Sequence, residues 1–275
     1  MRRSARFLLV VLLVLFGLVA ASCGDDDDSS SSSDATTTAA PAATGTTAVP
    51  LEGEVVLFAA ASLTESFTKI GDAFQKANPD TKVTFNFAAS SALVQQINEG
   101  APADVYASAD EANMKKLTDA ANVSGEPEIF ATNKLEIITA PGNPKGITGV
   151  ADLANSDLIV VTCGPEVPIG KYSAQVFANA GVTVTPKSYE ADVKAVVNKV
   201  VIGEADAGIV YATDVKAAGT KATGVQIPDD INVIATYPIA VTKGTKNVDV
   251  ADAFMAFVLS DAGQEILAAA GFSAP

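Results

Sequence analysis

The sequence predicts an α/β protein of two lobes, each a mostly parallel sheet flanked by helices. Three observations predict it. From Gly53 onward, short apolar or alternating runs take turns with stretches whose apolar residues recur at helical spacing. The alternation runs through one set, meets a Pro/Gly-rich turn at 141–149, and then begins again. Two extended segments, near 132–136 and 235–239, are placed to carry the chain from one set to the other and back. Strands separated by helices pair in parallel and take helices on both faces of the sheet.

Glu54–Ala60 is an apolar strand. Ser62–Asn78 carries Leu63, Phe67, Ile70 and Phe74 on one helical stripe, and Pro79 follows its end. Val83, Phe85 and Phe87 alternate, so Thr81–Ala88 is a strand. Ser91–Glu99 is a short helix with Leu93, Val94 and Ile97 inward, Ala103–Ser108 a buried strand, and Glu111–Ala120 a helix. Asn133–Thr139 is the next strand. The second set is Leu158–Thr162 (strand), Gly170–Ala180 (helix), Thr183–Thr185 (strand), Asp192–Ile202 (helix), Ala207–Val210 (strand) and Thr213–Ala218 (helix). "YPIAVT", 237–242, is a strand, and Val248–Ala270 supplies two closing helices. The lobes are therefore expected at 53–133 plus 238–275, and at 134–237.

The segment before Gly53 is not part of this pattern. Arg2, Arg3 and Arg6 precede an apolar run from Phe7 to Val19, then Ala20-Ala21-Ser22-Cys23, which reads as a signal peptide over 1–22. The small residues before Cys23 resemble the lipobox of bacterial lipoproteins, with Ala20 where that family prefers Leu. The resemblance implies a lipid on Cys23 and anchorage to the outer face of the cell membrane. Four aspartates, Asp25–Asp28, and a Ser/Thr/Ala/Pro run complete a spacer over 23–52 whose composition cannot bury a core. Its 29 residues from Gly24 to Glu52, as a flexible coil, span about 30 Å. The aspartates lack the spacing and glycine of a calcium loop.

The 275 residues include no His, which excludes Ser-His-Asp and Cys-His catalysis and every His-ligated metal site. Cys163 is left without an intradomain partner and reads as a small buried hydrophobe at a strand end. The formal charge is −14, and removal of the three leader arginines leaves 15 basic residues against 32 acidic, or −17. That balance argues against nucleic acid as a partner. A small anion is still admissible, because exposed charges are screened beyond about 8 Å at physiological salt.

The candidate site lies where strands hand over to helices. Ser62-Leu63-Thr64-Glu65 matches a capping box, worth about 1 kcal/mol to its helix and needing no ligand. The arrangement recurs, however, at Ser90-Ser91, at Pro168-Ile169-Gly170 and at Glu190-Ala191-Asp192-Val193. Such turns share one edge of a parallel sheet, and free N–H groups at helix starts bind anions. The alanines at 59–61 and 88–89 let a ligand approach the backbone.

The runs "LFAAASLTESF", "FAASSALVQQINEGAPADVYASAD", "GPEVPIGKYSA" and "GIVYATD" resemble those of the periplasmic molybdate-binding proteins of ABC transporters, over roughly residues 54 to 271. The resemblance implies a two-lobed type II periplasmic-binding fold that holds a tetrahedral oxyanion in the cleft between its lobes. Carried over motif by motif, it places hydroxyl donors on Ser62, Ser90 (with Ser91 adjacent) and Tyr211, and main-chain donors on Ile169 and Val193. Ile169 stands where the family commonly has a small residue, so its bulk bears on the cavity's size. The resemblance further implies molybdate or tungstate as ligand, an ABC permease as partner, a monomer, and no cofactor, metal cation or enzyme activity. None of the implied donors is charged, which suits a fully ionised dianion, and no carboxylate is expected among them.

Three alternatives stand beside this reading. One is a receptor for sulfate or another tetrahedral oxyanion. A second is a serine penicillin-recognising enzyme, because Ser66-Phe67-Thr68-Lys69 matches S-x-x-K, although S-D-N and K-T-G are both missing. A third is a surface lipoprotein that only docks other proteins.

Overall fold

The computed structural model describes residues 50–275. The expected signal peptide, Cys23 and most of the spacer lie outside the described residues. No helix among the described residues is long and apolar enough by itself to cross a membrane.

The chain enters on β1 (Gly53–Ala60), turns through a short 3₁₀ segment at Ala61–Leu63, and continues into α1 (Thr64–Ala77). Phe67, Ile70 and Phe74, one turn apart, are sealed from solvent along the inner face of α1. Then come β2 (Thr81–Ala88), α2 (Ser90–Asn98), β3 (Val105–Ala107), α3 (Glu111–Asp119) and the long β4 (Val123–Thr139). The second run is β5 (Val160–Cys163), α4 (Pro168–Asn179), β6 (Ser188–Glu190), α5 (Val193–Val201), β7 (Ala207–Tyr211) and α6 (Ala212–Ala218). β8 (Thr223–Gln226), β9 (Ile234–Thr242), α7 (Val248–Leu259) and α8 (Asp261–Ala270) complete the chain.

The strands run in the order β2-β1-β3-β9-β4-β7-β5-β6, with β8 beside β4. Pairing is parallel at both ends, β2-β1-β3 on one side and β7-β5-β6 on the other. The middle is antiparallel. β9 pairs β3, and β4 pairs β9 from Val123 to Lys134, then β7 and β8 from Leu135 to Thr139. β4 thus changes partners at Lys134/Leu135, and it and β9 are the strands that join the two parallel groups.

One apolar core runs through both groups, from Val55 and Leu57 to Ile209 and Val241. A second, smaller one sits under α2 and α3, around Phe58, Leu93, Tyr106 and Leu117. Aromatic rings pack edge to face through the first: Phe74 on Phe254 at 5.2 Å between centroids, and Tyr237 on Phe272 at 5.3 Å. Cys163 ends β5, buried and unpaired, as a small apolar residue.

The structure corrects several expectations about elements. Thr183–Thr185 alternates like a strand but is irregular, and the strand lies at Ser188–Glu190. Pro186 has no N–H, and the contact with the neighbouring strand begins only at Lys187, whose N–H donates to the Val160 carbonyl. β4 begins ten residues earlier than Asn133, since cross-strand bonds to β9 hold Gly125 and Pro127 within an irregular stretch. β9 begins at Ile234, and β8 is an added short edge strand.

Candidate functional site

Five strand-to-helix turns meet at one place. Ser62 lies in the turn after β1, Ser90 is the first residue of α2 after β2, and Ile169 is the second residue of α4 after β5. Val193 opens α5 after β6, and Tyr211 ends β7 just before α6. All five line a single cavity, together with Ala60, Ala61, Ala89, Ala109, Val167, Pro168 and Asp192. The first two come from one parallel group of strands and the other three from the other group. Every residue that the sequence singled out for the oxyanion is therefore in the same small space.

The cavity is small, with a volume of about 20 Å³, somewhat more than a single water needs. The alanines keep it open: longer side chains at 60, 61, 89 or 109 would occupy it.

The capping reading of Ser62 fails. Neither Ser62 nor Leu63 caps α1 with a side chain; the Ser62 hydroxyl instead lies 3.0 Å from the Tyr237 hydroxyl. Glu65 does not reach back either, since its carboxylate is 2.6 Å from Lys194 Nζ at the start of α5. Ser90 also leaves its helix uncapped; its Oγ accepts the Ala109 N–H at 3.0 Å. Both hydroxyls are thus held by partners outside their own helices.

The backbone donors follow from helix geometry. The first N–H groups of a helix have no partner within it. Pro168 has no N–H to offer, and no side chain caps α4, so the Ile169 N–H is the first free donor of that helix. Asp192 Oδ1 accepts the Ala195 N–H at 3.0 Å and leaves the Val193 N–H to the cavity side. Asp192 also lines the cavity, outside the expected donor set, and one of its oxygens serves as the cap of α5. Gly170 is required here, because a Cβ on it would fall 2.1 Å from the Gly164 carbonyl oxygen. Only glycine lets α4 approach the end of β5 so closely. Ile169 itself is buried in the main core, with its carbonyl accepting from Ser173 Oγ at 2.6 Å.

Tyr211 differs from the serines. Its side chain is 1% exposed, and its hydroxyl has no hydrogen-bond partner in the protein. A buried hydroxyl in that state costs about 1–3 kcal/mol. Burial, and after it the neighbouring Tyr237, Tyr172 and acidic groups, push its pKa well above the ordinary value, so it stays protonated and able to donate. Asp214 Oδ2 accepts the Tyr211 N–H at 3.2 Å and fixes the turn.

Sequence reasoning missed the supporting residues. Lys194 Nζ lies 2.9 Å from the fully buried Asp214 Oδ1 as well as 2.6 Å from Glu65, so one ammonium ties the starts of α1, α5 and α6. Burial alone would lower the Lys194 pKa, but Asp214 and Glu65 outweigh it and hold the ammonium above the usual lysine value. The run "YATD" carried a signal for Asp214, an acid three residues after a helix boundary. Tyr237 and Lys194 carried none.

The S-x-x-K alternative finds no support in this geometry. Ser66 is buried and donates to the Leu63 carbonyl at 3.1 Å, while Lys69 is exposed. Among the described residues there is also no cluster of acidic, Cys or His side chains fit to hold a metal.

Residues 55–273 match the family described as bacterial extracellular solute-binding protein. The chain is 44% identical over 230 residues to the molybdate-binding protein ModA of Mycobacterium tuberculosis, covering 83% of this chain and 88% of that protein. Among solved structures it is similar to the substrate-binding domain of a putative molybdenum ABC transporter from Clostridium difficile, with a TM-score of 0.62 and 32% identity over 82% of this chain and 100% of that one. The sulfate-binding protein SubI of Mycobacterium tuberculosis shares the fold, with a TM-score of 0.73 and 21% identity over 80% of this chain and 86% of that one. By the family match and its relatives, the chain, whose helix starts converge from two joined α/β halves, belongs to the bacterial extracellular solute-binding proteins, substrate-binding proteins of ABC transporters with the two-lobed type II fold and not enzymes.

Proposed function

We propose that this protein captures molybdate, and tungstate with it, outside the cytoplasm and delivers the ion to an ABC permease. The observation that carries the reading is the Tyr211 hydroxyl, buried and unpartnered, in a cavity bordered by four further neutral donors. Its missing partner is supplied by an oxyanion oxygen. Ser62, Ser90 and Tyr211 donate hydroxyl protons, and Ile169 and Val193 donate N–H groups. Hydrogen bonds to a charged acceptor contribute about 1.5–3 kcal/mol each, so five such donors hold a dianion without any cationic side chain in contact. The 44% identity to a protein named for molybdate supports this ion over sulfate.

The lobes in this reading are 53–133 plus 238–275 and 134–237, closing over the ion by bending where β4 and β9 cross between them. Cys23 carries the lipid that keeps the monomer at the outer face of the membrane. Calorimetric titration with molybdate, tungstate, sulfate and phosphate tests the reading. Tight 1:1 binding of the first two and weak binding of the others is expected. Sulfate bound as tightly as molybdate, or no heat with any of them, overturns it.

A further inference from the structure

We infer that Tyr237, which does not line the cavity, is a positioning residue for the ligand: it donates to Ser62 Oγ and so commits the Ser62 proton to the cavity. The inference rests on the oxyanion-binding reading of the site.

Tyr237 lies on β9, fully buried, with its hydroxyl 3.0 Å from Ser62 Oγ. Two hydroxyls in contact can be ordered either way, so a third group decides which one donates. That group is the oxyanion, which can only accept, so a bound ion takes the Ser62 proton. The Tyr237 hydroxyl, held in the core with Ser62 Oγ as its partner, then gives its own proton to Ser62 Oγ. With an acceptor site of Ser62 occupied, the Ser62 proton points elsewhere, and the cavity is the space it borders.

Ser90 shows the same logic with a different partner. Its Oγ accepts a backbone N–H, from Ala109, which can only donate. Both serines are thus acceptors toward the protein and donors toward the ligand. Tyr237 sits on β9, one of the two strands that join the parallel groups, so the alignment of Ser62 depends on the crossover.

The test is a double-mutant cycle in the full chain, with molybdate affinity measured by calorimetry for wild type, Tyr237→Phe, Ser62→Ala and the double variant. Phenylalanine keeps the ring packing on Phe130, Tyr211 and Phe272, and thermal melts report whether the variant folds. Tyr237→Phe is expected to weaken binding about tenfold alone and less than about twofold in the Ser62→Ala background. A purely structural role for Tyr237 would weaken both backgrounds alike. Equal weakening in both, or a Tyr237→Phe protein that binds as wild type does, overturns the inference. Wild-type protein that takes up no molybdate overturns the functional reading, and this inference with it.

Discussion

Tyr211 places its hydroxyl where the protein offers it nothing. Replacing it with Phe removes a buried donor that the ligand-free fold leaves unsatisfied, so two measurements should move in opposite directions. Unfolding in urea without ligand should show Tyr211→Phe more stable than wild type by about 1–3 kcal/mol, while molybdate affinity falls about tenfold or more. A variant that loses affinity and stability together would mark Tyr211 as a core residue. Ser90→Ala should weaken molybdate binding by about 10–150-fold, the loss of one charge-assisted bond, as read by calorimetry. At this scale the sequence was legible where a residue's role is local. The helix starts that hold Ser62, Ser90, Ile169 and Val193 were visible as breaks in apolar period, whereas Tyr211 and the choice of individual donors came from the family resemblance. Tyr237 was not legible, because its partner Ser62 lies 175 residues away along the chain.

At the scale of elements, five turns converge only if the starts of α1, α5 and α6 are held together. Lys194 does this with two carboxylates of unequal burial: Glu65 is 48% exposed and Asp214 is sealed. Glu65→Gln breaks a solvated pair and should cost less than about 1 kcal/mol in denaturant unfolding. Lys194→Met leaves Asp214 buried with its charge uncompensated and should cost about 3 kcal/mol or more. Equal costs for the two substitutions would contradict this ranking. The element pattern itself was largely readable. Helices declared themselves by stripes such as Phe67-Ile70-Phe74, and most parallel strands by short apolar runs. What escaped was the first part of β4, where Gly125, Glu126 and Pro127 interrupt the pattern and pairing with β9 overrides local preference. The false strand at Thr183–Thr185 shows the converse: β-branched alternation without a place in the ladder.

For the whole molecule, the buried tyrosines set an alkaline limit. Burial chiefly raises the pKa of Tyr106, Tyr211 and Tyr237 above the ordinary value. In the unfolded chain these groups lose their protons near pH 10, whereas in the fold they keep them, so the folded state binds more protons and stability falls as pH rises above about 10. Each contributes about 1.4 kcal/mol per pH unit in that range, which a series of urea melts from pH 9 to 11 should reveal as a steepening loss. Stability unchanged through that range would mean these hydroxyls ionise in place. The central claim is that neutral donors from both halves of the molecule close on one dianion, and anomalous diffraction from crystals grown with molybdate tests it most directly. The account predicts one molybdenum peak in the cavity, with its oxygens in hydrogen-bond reach of Ser62 Oγ, Ser90 Oγ, the Tyr211 hydroxyl and the N–H groups of Ile169 and Val193. A peak elsewhere, or a cavity left empty at saturating molybdate, would contradict it.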